Sequence, residues 1–481
     1  RMKGNPLFHD YRQLPAGFSR DGDIITGEVV GDSTYTGPGN LVQDRYHFDL
    51  PDTGFFFPGD VIHYYFEARD EVAGDIGHTI LPGDTTGFAS FQHDLRYPSD
   101  FICRGLPTMF SDTPGDQPTV LLWNDFAARG GENEWLYALY GAGMHEGVGY
   151  DVYYTNAPDA GEGNGLGGRA TSAMMAHYDV LLYTCGNLLA YTLGNGDFTT
   201  DPSRDIQLLN TWFDRGGKKA LLTGDDLVFD LYQKGVEGQN FVSNYIGVTL
   251  LNRQLNNLID NQTAPHVVAQ SGNGVFNLVD EWVAYGGCLG INTFDAVETV
   301  GNATRLAEFT NADGQAGAYT FAAATHKLYD PNDAEVVYMP YDLMFLYNAP
   351  GYTAPAGFEG VAARSLIVRD VLNFFGMQLE APVGVDTPDA VPLDVSVYPN
   401  PFNPTTTIAL DMPRAGQATL KLYNVRGELV HTLLDGELPA GRHELTWDGR
   451  TASGARAASG VYFAEVRALG ETSITRMAMV K

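Results

Sequence analysis

The sequence predicts a multidomain chain, α/β in its middle and all-β at its ends. A central doubly wound parallel sheet is expected, flanked by an N-terminal β module and a C-terminal β-sandwich. Three observations carry this reading. From Thr119 to Phe375 short apolar runs alternate with helical segments, the rhythm of right-handed βαβ units. From Thr406 to Val480 six short alternating runs are separated by turn signals, as in a small sandwich. Residues 1–110 read as mostly β with long loops.

At 481 residues the chain is long enough for several domains with ample cores. The expected boundaries are a β module at 1–115, an α/β domain at 116–380 interrupted by an insertion at about 252–330, a linker at 381–392 and a sandwich at 393–481. The formal charge is −30. Residues 391–481 hold nine Lys plus Arg and nine Asp plus Glu, so all the excess negative charge lies in residues 1–390. That field repels nucleic acid and anionic membranes and suits solubility, cation binding or a saline habitat. Three cysteines, Cys103, Cys185 and Cys288, are too few for a disulfide framework. No apolar run is long enough to span a bilayer. The chain starts at Arg1 without a signal-peptide pattern, and a processed product whose leader has been removed is expected. Asn261-Gln-Thr263 and Asn302-Ala-Thr304 fit the glycosylation acceptor pattern.

In the N-terminal module the clearest strands are Ile24–Val30, Tyr46–Leu50 and Val61–Ala68, with a turn at Phe57-Pro-Gly-Asp60. The stretch Phe57–Asp70 resembles a strand pair from the fibronectin or immunoglobulin-like modules of long secreted bacterial proteins. Few strands are visible, so the module is either closed by strands that the pattern hides or left with an edge that accepts a strand from a neighbour.

In the central domain Thr119–Trp123 is a continuous apolar run, as expected of a strand covered on both faces. Further strands are expected at Tyr150–Tyr154, Val180–Thr184, Lys219–Thr223 and Val336–Met339, with helices at Glu132–Met144, Ala170–Ala176, Ile206–Phe213 and Gly360–Phe375. Asn252–Tyr329 reads as irregular strands and loops. The order of elements, with Tyr178–Asn187 and Phe213–Asp225, is similar to the class I glutamine amidotransferase-like and flavodoxin-like folds, a likeness of fold alone.

Ligands of open α/β sheets bind beyond the carboxyl ends of the strands, here Asn124-Asp125, Asn156, Thr184–Asn187 and Gly224–Asp226. Cys185 is the candidate nucleophile, but Tyr183-Thr-Cys-Gly-Asn187 lacks the first glycine of the Gly-x-Cys-x-Gly elbow found in the amidotransferases. It also needs a base to form thiolate. His145, His177 and His326 are the candidates, and none is fixed there by spacing. The bland alternative is a small buried turn residue. Asp125, Asp225 and Asp226 could share one rim and hold a hard cation such as a structural calcium; otherwise Asp225 or Asp226 caps the following helix. No other cofactor is expected. There is no phosphate loop, no Gly-x-Gly-x-x-Gly after the first strand, no His-Glu-x-x-His and no Gly-x-Ser-x-Gly. The glycine-rich Gly161–Gly168 reads as a surface loop. Aromatic pairs such as Tyr64-Tyr65-Phe66 could stack on sugars, though packing explains them as well.

The C-terminal stretch opens with Tyr398-Pro-Asn-Pro-Phe-Asn-Pro404, three prolines that give a stiff extended entry. It continues with Leu422-Tyr-Asn-Val-Arg-Gly427, Trp447-Asp-Gly449, Ser459-Gly-Val-Tyr-Phe463 and the terminal Arg476–Lys481. With these motifs in this order, residues 391–481 resemble the C-terminal sorting domain of type IX-secreted bacterial proteins, which is similar to the immunoglobulin-like (Ig-like) domain of flagellar hook-capping proteins. The resemblance implies export across the outer membrane and contact with the secretion machinery.

Together these features describe a secreted, cell-surface structural or adhesive protein, with self-association or other surface proteins as partners, rather than an enzyme. The alternatives are a secreted cysteine peptidase or amidase using Cys185, and a carbohydrate- or cation-binding surface module.

Overall fold

The computed structural model describes residues 1–32, 36–37, 40–41, 46, 48, 54–72, 75–91, 97, 101–108, 117–126, 131–155, 165–197, 202–258, 266–284, 294–310, 321–379, 395–398, 402–412, 416–424, 429–439, 441–452, 454–468 and 471–479. The expected linker, Asn261 and Cys288 lie outside these residues. The chain divides into two units, one built mainly from Arg1–Thr119 with Glu146–Asp151, the other from Val120–His145, Val152–Thr387 and Val391–Lys481.

The N-terminal unit contains β1 (Met2–Lys3), β2 (Ser19–Asp21), β3 (Ile24–Thr26), β4 (Thr36–Gly37), β5 (Asn40–Leu41), β6 (Val61–His63), β7 (Phe66–Val72), β8 (Asp75–Leu81) and β9 (Ile102–Arg104). An antiparallel sheet runs in the order β2-β3-β1-β6-β9, while β4 pairs β5 and β7 pairs β8. Met2, Ile25 and Phe55 form its small core. The turn expected at 57–60 forms: Asp60 N–H donates to Phe57 O at 3.0 Å, and Phe57 N–H donates to Asp60 Oδ2 at 2.7 Å. The same carboxylate accepts both terminal nitrogens of Arg12, at 2.6 and 2.7 Å, with both side chains fully buried. Two expectations are corrected. Ile24–Val30 is a strand only to Thr26, and Val61–Ala68 breaks at Tyr64-Tyr65, where the chain leaves the five-stranded sheet and enters the β7–β8 hairpin.

The central elements are β10 (Val120–Asn124), α1 (Glu132–Gly141), β11 (Tyr150–Tyr154), α2 (Leu166–Arg169), α3 (Ser172–Met175), β12 (Val180–Thr184), α4 (Asp205–Phe213), β13 (Lys219–Thr223), α5 (Leu227–Gln233) and α6 (Gly235–Phe241). They continue with β14 (Val248–Asn252), β15 (His266–Ala269), β16 (Glu281–Ala284), β17 (Ala296–Thr299), β18 (Thr304–Thr310), β19 (Phe321–Tyr329), β20 (Ala334–Met339), β21 (Leu346–Asn348) and α7 (Ala363–Phe374). The wholly parallel sheet expected from the sequence does not form. β10, β12, β13 and β20 lie parallel in one register, Val120 beside Val180, Val180 beside Lys219, and Lys219 beside Glu335. From β20 outward the order β20-β19-β18-β15-β16-β21 is antiparallel. The segment read as an irregular insertion therefore supplies β15 to β19, five of the twelve strands of the sheet. The cause is loop length: residues 330–333 alone join β19 to β20, enough for a hairpin and far too few for a parallel crossover.

The C-terminal strands are β22 (Val395–Tyr398), β23 (Thr406–Met412), β24 (Gly416–Asn424), β25 (Leu429–Leu438), β26 (Gly441–Trp447), β27 (Gly460–Ala468) and β28 (Glu471–Met479). They form two sheets of their own, β22-β23-β26 and β25-β24-β27-β28. Alternate residues turn inward, as the period of two demands. Leu420 and Leu422 sit beside Val466 and Ala464, and these join Ile408 and Leu410 of the other sheet in a single core. The motif residues are that core: the ring of Trp447 lies 5.5 Å from Phe402 and 5.0 Å from Tyr462. Trp447 Nε1 donates to Arg450 O at 2.7 Å, satisfying the indole inside the sandwich.

Candidate functional site

Register places one row of residues at the carboxyl end of the parallel strands: Asn124, Thr184, Thr223 and Met339. Directly beyond them come Asp125, Cys185, Gly224-Asp225 and Tyr341-Asp342. Sequence reasoning missed Asp342, which ties the row together. Its Oδ2 accepts Trp135 Nε1 of α1 at 2.9 Å, the Thr184 hydroxyl, and the Thr223 hydroxyl at 3.4 Å. Its Oδ1 accepts Met344 N–H at 2.7 Å. Buried among these partners, Asp342 locks α1 to three strand ends.

Cys185 is fully buried. Its sulfur lies 3.9 Å from Thr223 O and 3.7 Å from Asp225 O, both acceptors. Burial, reinforced by Asp125, Asp342, Asp225 and Asp230, pushes the thiol well above its ordinary range, the reverse of what activates a nucleophile. The proposed bases lie elsewhere. His177 precedes β12 while Cys185 follows it, and a five-residue strand spans about 17 Å at about 3.3 Å per residue. His145 follows the far end of α1 and packs its ring on Tyr140 at 5.2 Å. His326 sits 3.3 Å from Glu335, which is level with Lys219 at the amino end of β13.

Of the three aspartates expected to share a calcium, Asp125 and Asp226 bond different side chains, and Asp225 is buried. Asp125 Oδ2 accepts the Tyr183 hydroxyl at 2.9 Å, and Asp225 donates its backbone N–H to Gly186 O at 2.8 Å. Asp226 is held by Arg253, whose Nε lies 2.5 Å from Oδ1 and whose guanidinium carbon stands 4.5 Å over the Phe229 ring. Burial pushes the Asp226 carboxyl up while Arg253 pulls it down. Among the described residues no three His, Cys, Asp or Glu side chains converge where a metal ion could sit.

Asp226, at the N-terminus of α5, has φ 56° and ψ 7° and does not cap it through its side chain. Instead Asp295 Oδ2, from the segment read as irregular, accepts Val228 and Phe229 N–H, each at 3.0 Å. It reaches the helix from outside, so no local sequence signal announces it. Burial pushes this carboxyl up to about 8 despite the two backbone donors. At Asn302, the second expected glycosylation position, the exposed side chain accepts Lys327 Nζ and donates to Leu328 O at 3.2 Å.

Residues 400–471 match the FlgD Ig-like domain family, and the C-terminal sandwich is accordingly Ig-like. No curated protein sequence compared with the chain matches it. Among solved structures the chain is similar to PorZ of Porphyromonas gingivalis, an essential bacterial surface component of its type-IX secretion system. That likeness has 28% identity over 18% of this chain and 11% of PorZ, with a TM-score of 0.15. It is similar to FlgD of P. aeruginosa at 20% identity over 18% of this chain and 77% of that one, with a TM-score of 0.15. A ThuA-like protein of Parabacteroides merdae aligns at 12% identity over 57% of this chain and 93% of that one, with a TM-score of 0.30. The chain thus spans a small fraction of the PorZ length.

Proposed function

We propose that this chain is a secreted, cell-surface structural or adhesive protein, exported by a type IX-like pathway through its C-terminal Ig-like sandwich. Its amidotransferase-like α/β domain serves as scaffold rather than catalyst, and its partners are further copies or other surface proteins. The observation that carries this reading is the match of residues 400–471 to an Ig-like family, in a sandwich whose strands form sheets of their own. A domain that closes its own core can act as an independent address. Against the hydrolase reading stands Cys185, buried, its thiol pushed up and surrounded by carboxylates. The test is export in a bacterium with a type IX system. The full chain should reach the cell surface, and a chain ending before 391 should stay in the periplasm. Equal surface delivery of both chains would overturn the proposal.

A further inference from the structure

In the N-terminal unit β7 and β8 pair with each other and, among the described residues, with no third strand. Every residue from 65 to 69 is exposed, as are His78, Thr79 and Leu81. Phe66 on one face packs on Phe48 and Phe101, and Tyr65 on the other packs on Phe88, while Glu67, Ala68 and Arg69 stand exposed beyond them. A two-stranded ribbon is marginal in water, and among the described residues no strand pairs the outer edge of β7, which leaves its backbone donors and acceptors open there.

The side chains along that edge form a pattern. Glu67 and Arg69 share one face, and Arg69 Nε donates to Glu67 Oε1 at 2.7 Å. His78, directly across on β8, reaches the same oxygen at 2.9 Å. Between the two charges, on the opposite face, stands Ala68.

We propose that the outer edge of β7 pairs antiparallel with the same edge of a second copy, about a two-fold axis at Ala68, to give the four-stranded order β8-β7-β7-β8. This names the partner in the self-association proposed above and rests on that reading. An isologous contact must be self-complementary, and this register is. Residues whose numbers add to 136 face each other, so Glu67 of each copy lies opposite Arg69 of the other, on the same face. The four charges then alternate in sign across the axis. Moving the axis to Glu67 or to Arg69 sets like charges opposite each other, which is unfavourable. The charges that protect the edge against indiscriminate pairing thus admit one register. Ala68, the small residue on the axis, lets the strands approach.

The test is sedimentation velocity of the full chain at several concentrations. The wild type should form dimers that dissociate as ionic strength rises from about 0.1 M to about 1 M, where the Debye length falls from about 10 Å to about 3 Å. Glu67→Arg alone and Arg69→Glu alone each set like charges opposite one another and should be monomeric. An equimolar mixture of the two variants should recover dimer, because each copy then meets its complement. The double variant E67R/R69E should also dimerise. Misfolding cannot produce recovery on mixing, and unchanged circular dichroism checks the single variants. A wild type that stays monomeric, or a mixture that does not recover dimer, overturns the proposal. Dimers indifferent to both substitutions place self-association on another surface; that sinks the β7 contact while leaving the export reading, which is tested by truncation, untouched.

Discussion

Gly224 abuts Cys185 so closely that a Cβ built on residue 224, whose φ is 141°, would collide with the cysteine sulfur. The two residues close the turns after adjacent parallel strands, and the fully buried thiol fills the space a side chain at 224 would need. Gly224→Ala should therefore destabilise the fold by about 1–3 kcal/mol, the usual cost of overfilling a packed core. Urea unfolding measures it. Adding Cys185→Ala removes the sulfur and should return part of the loss; strictly additive losses in the double variant would mean that the contact is not the cause.

The same burial predicts an inert thiol. Folded protein treated with iodoacetamide at pH 8 should leave Cys185 unmodified by peptide mass analysis, whereas Cys103, exposed on β9, should be labelled. Unfolding in guanidinium should open Cys185 to the reagent. Rapid alkylation of Cys185 in folded protein, with loss of any hydrolytic activity, would restore the peptidase or amidase reading.

Arg253 reaches Asp226 with its side chain 35% exposed while that of Asp226 is 2% exposed. Removing the guanidinium strands a buried carboxylate. Because one partner is partly solvated, the expected cost of Arg253→Ala is about 2 kcal/mol, between the ranges for surface and buried pairs. Adding Asp226→Asn to that variant should recover most of it, since the amide carries no charge to strand. The measurement is a thermal or urea double-mutant cycle.

The sequence announces these elements unevenly, for physical reasons. Val180–Thr184 and Lys219–Thr223 coincide with their apolar runs because a doubly covered strand is bounded where burial ends. In the sandwich, alternation and the residues Phe402, Trp447 and Tyr462 mark the core directly. β19 is hidden because Phe321-Ala-Ala-Ala-Thr325 is alanine-rich and reads poorly as a strand, although Ala322, Ala323 and Ala324 are fully buried. Asp342 is hard to see because Pro340 and Tyr341 separate it from the end of its strand, Val336–Met339. Asp295 and Arg253 act on α5 from a segment that looked irregular, and long-range contacts of that kind leave no trace in local pattern.

Asp295 supplies the pH dependence. Its carboxyl is fully buried, with Oδ2 on two backbone donors and Oδ1 without a hydrogen-bond partner among the described residues. Burial pushes it from 3.8 up to about 8 in the folded chain. The folded state therefore holds a proton that the unfolded state has released, and between these values stability falls as pH rises. The contribution is fully present below about pH 4 and is lost as pH passes through 8, by on the order of a few kcal/mol. Asp295→Asn keeps an oxygen for the Val228 and Phe229 N–H groups and cannot ionise. It should match the wild type at acidic pH, lack the decline, and be the more stable of the two above pH 8. Urea unfolding of both proteins from pH 4 to pH 9 measures the difference. Parallel curves would show that Asp295 does not titrate in this range, and a large loss for the Asn variant at every pH would show that it is held as a carboxylate.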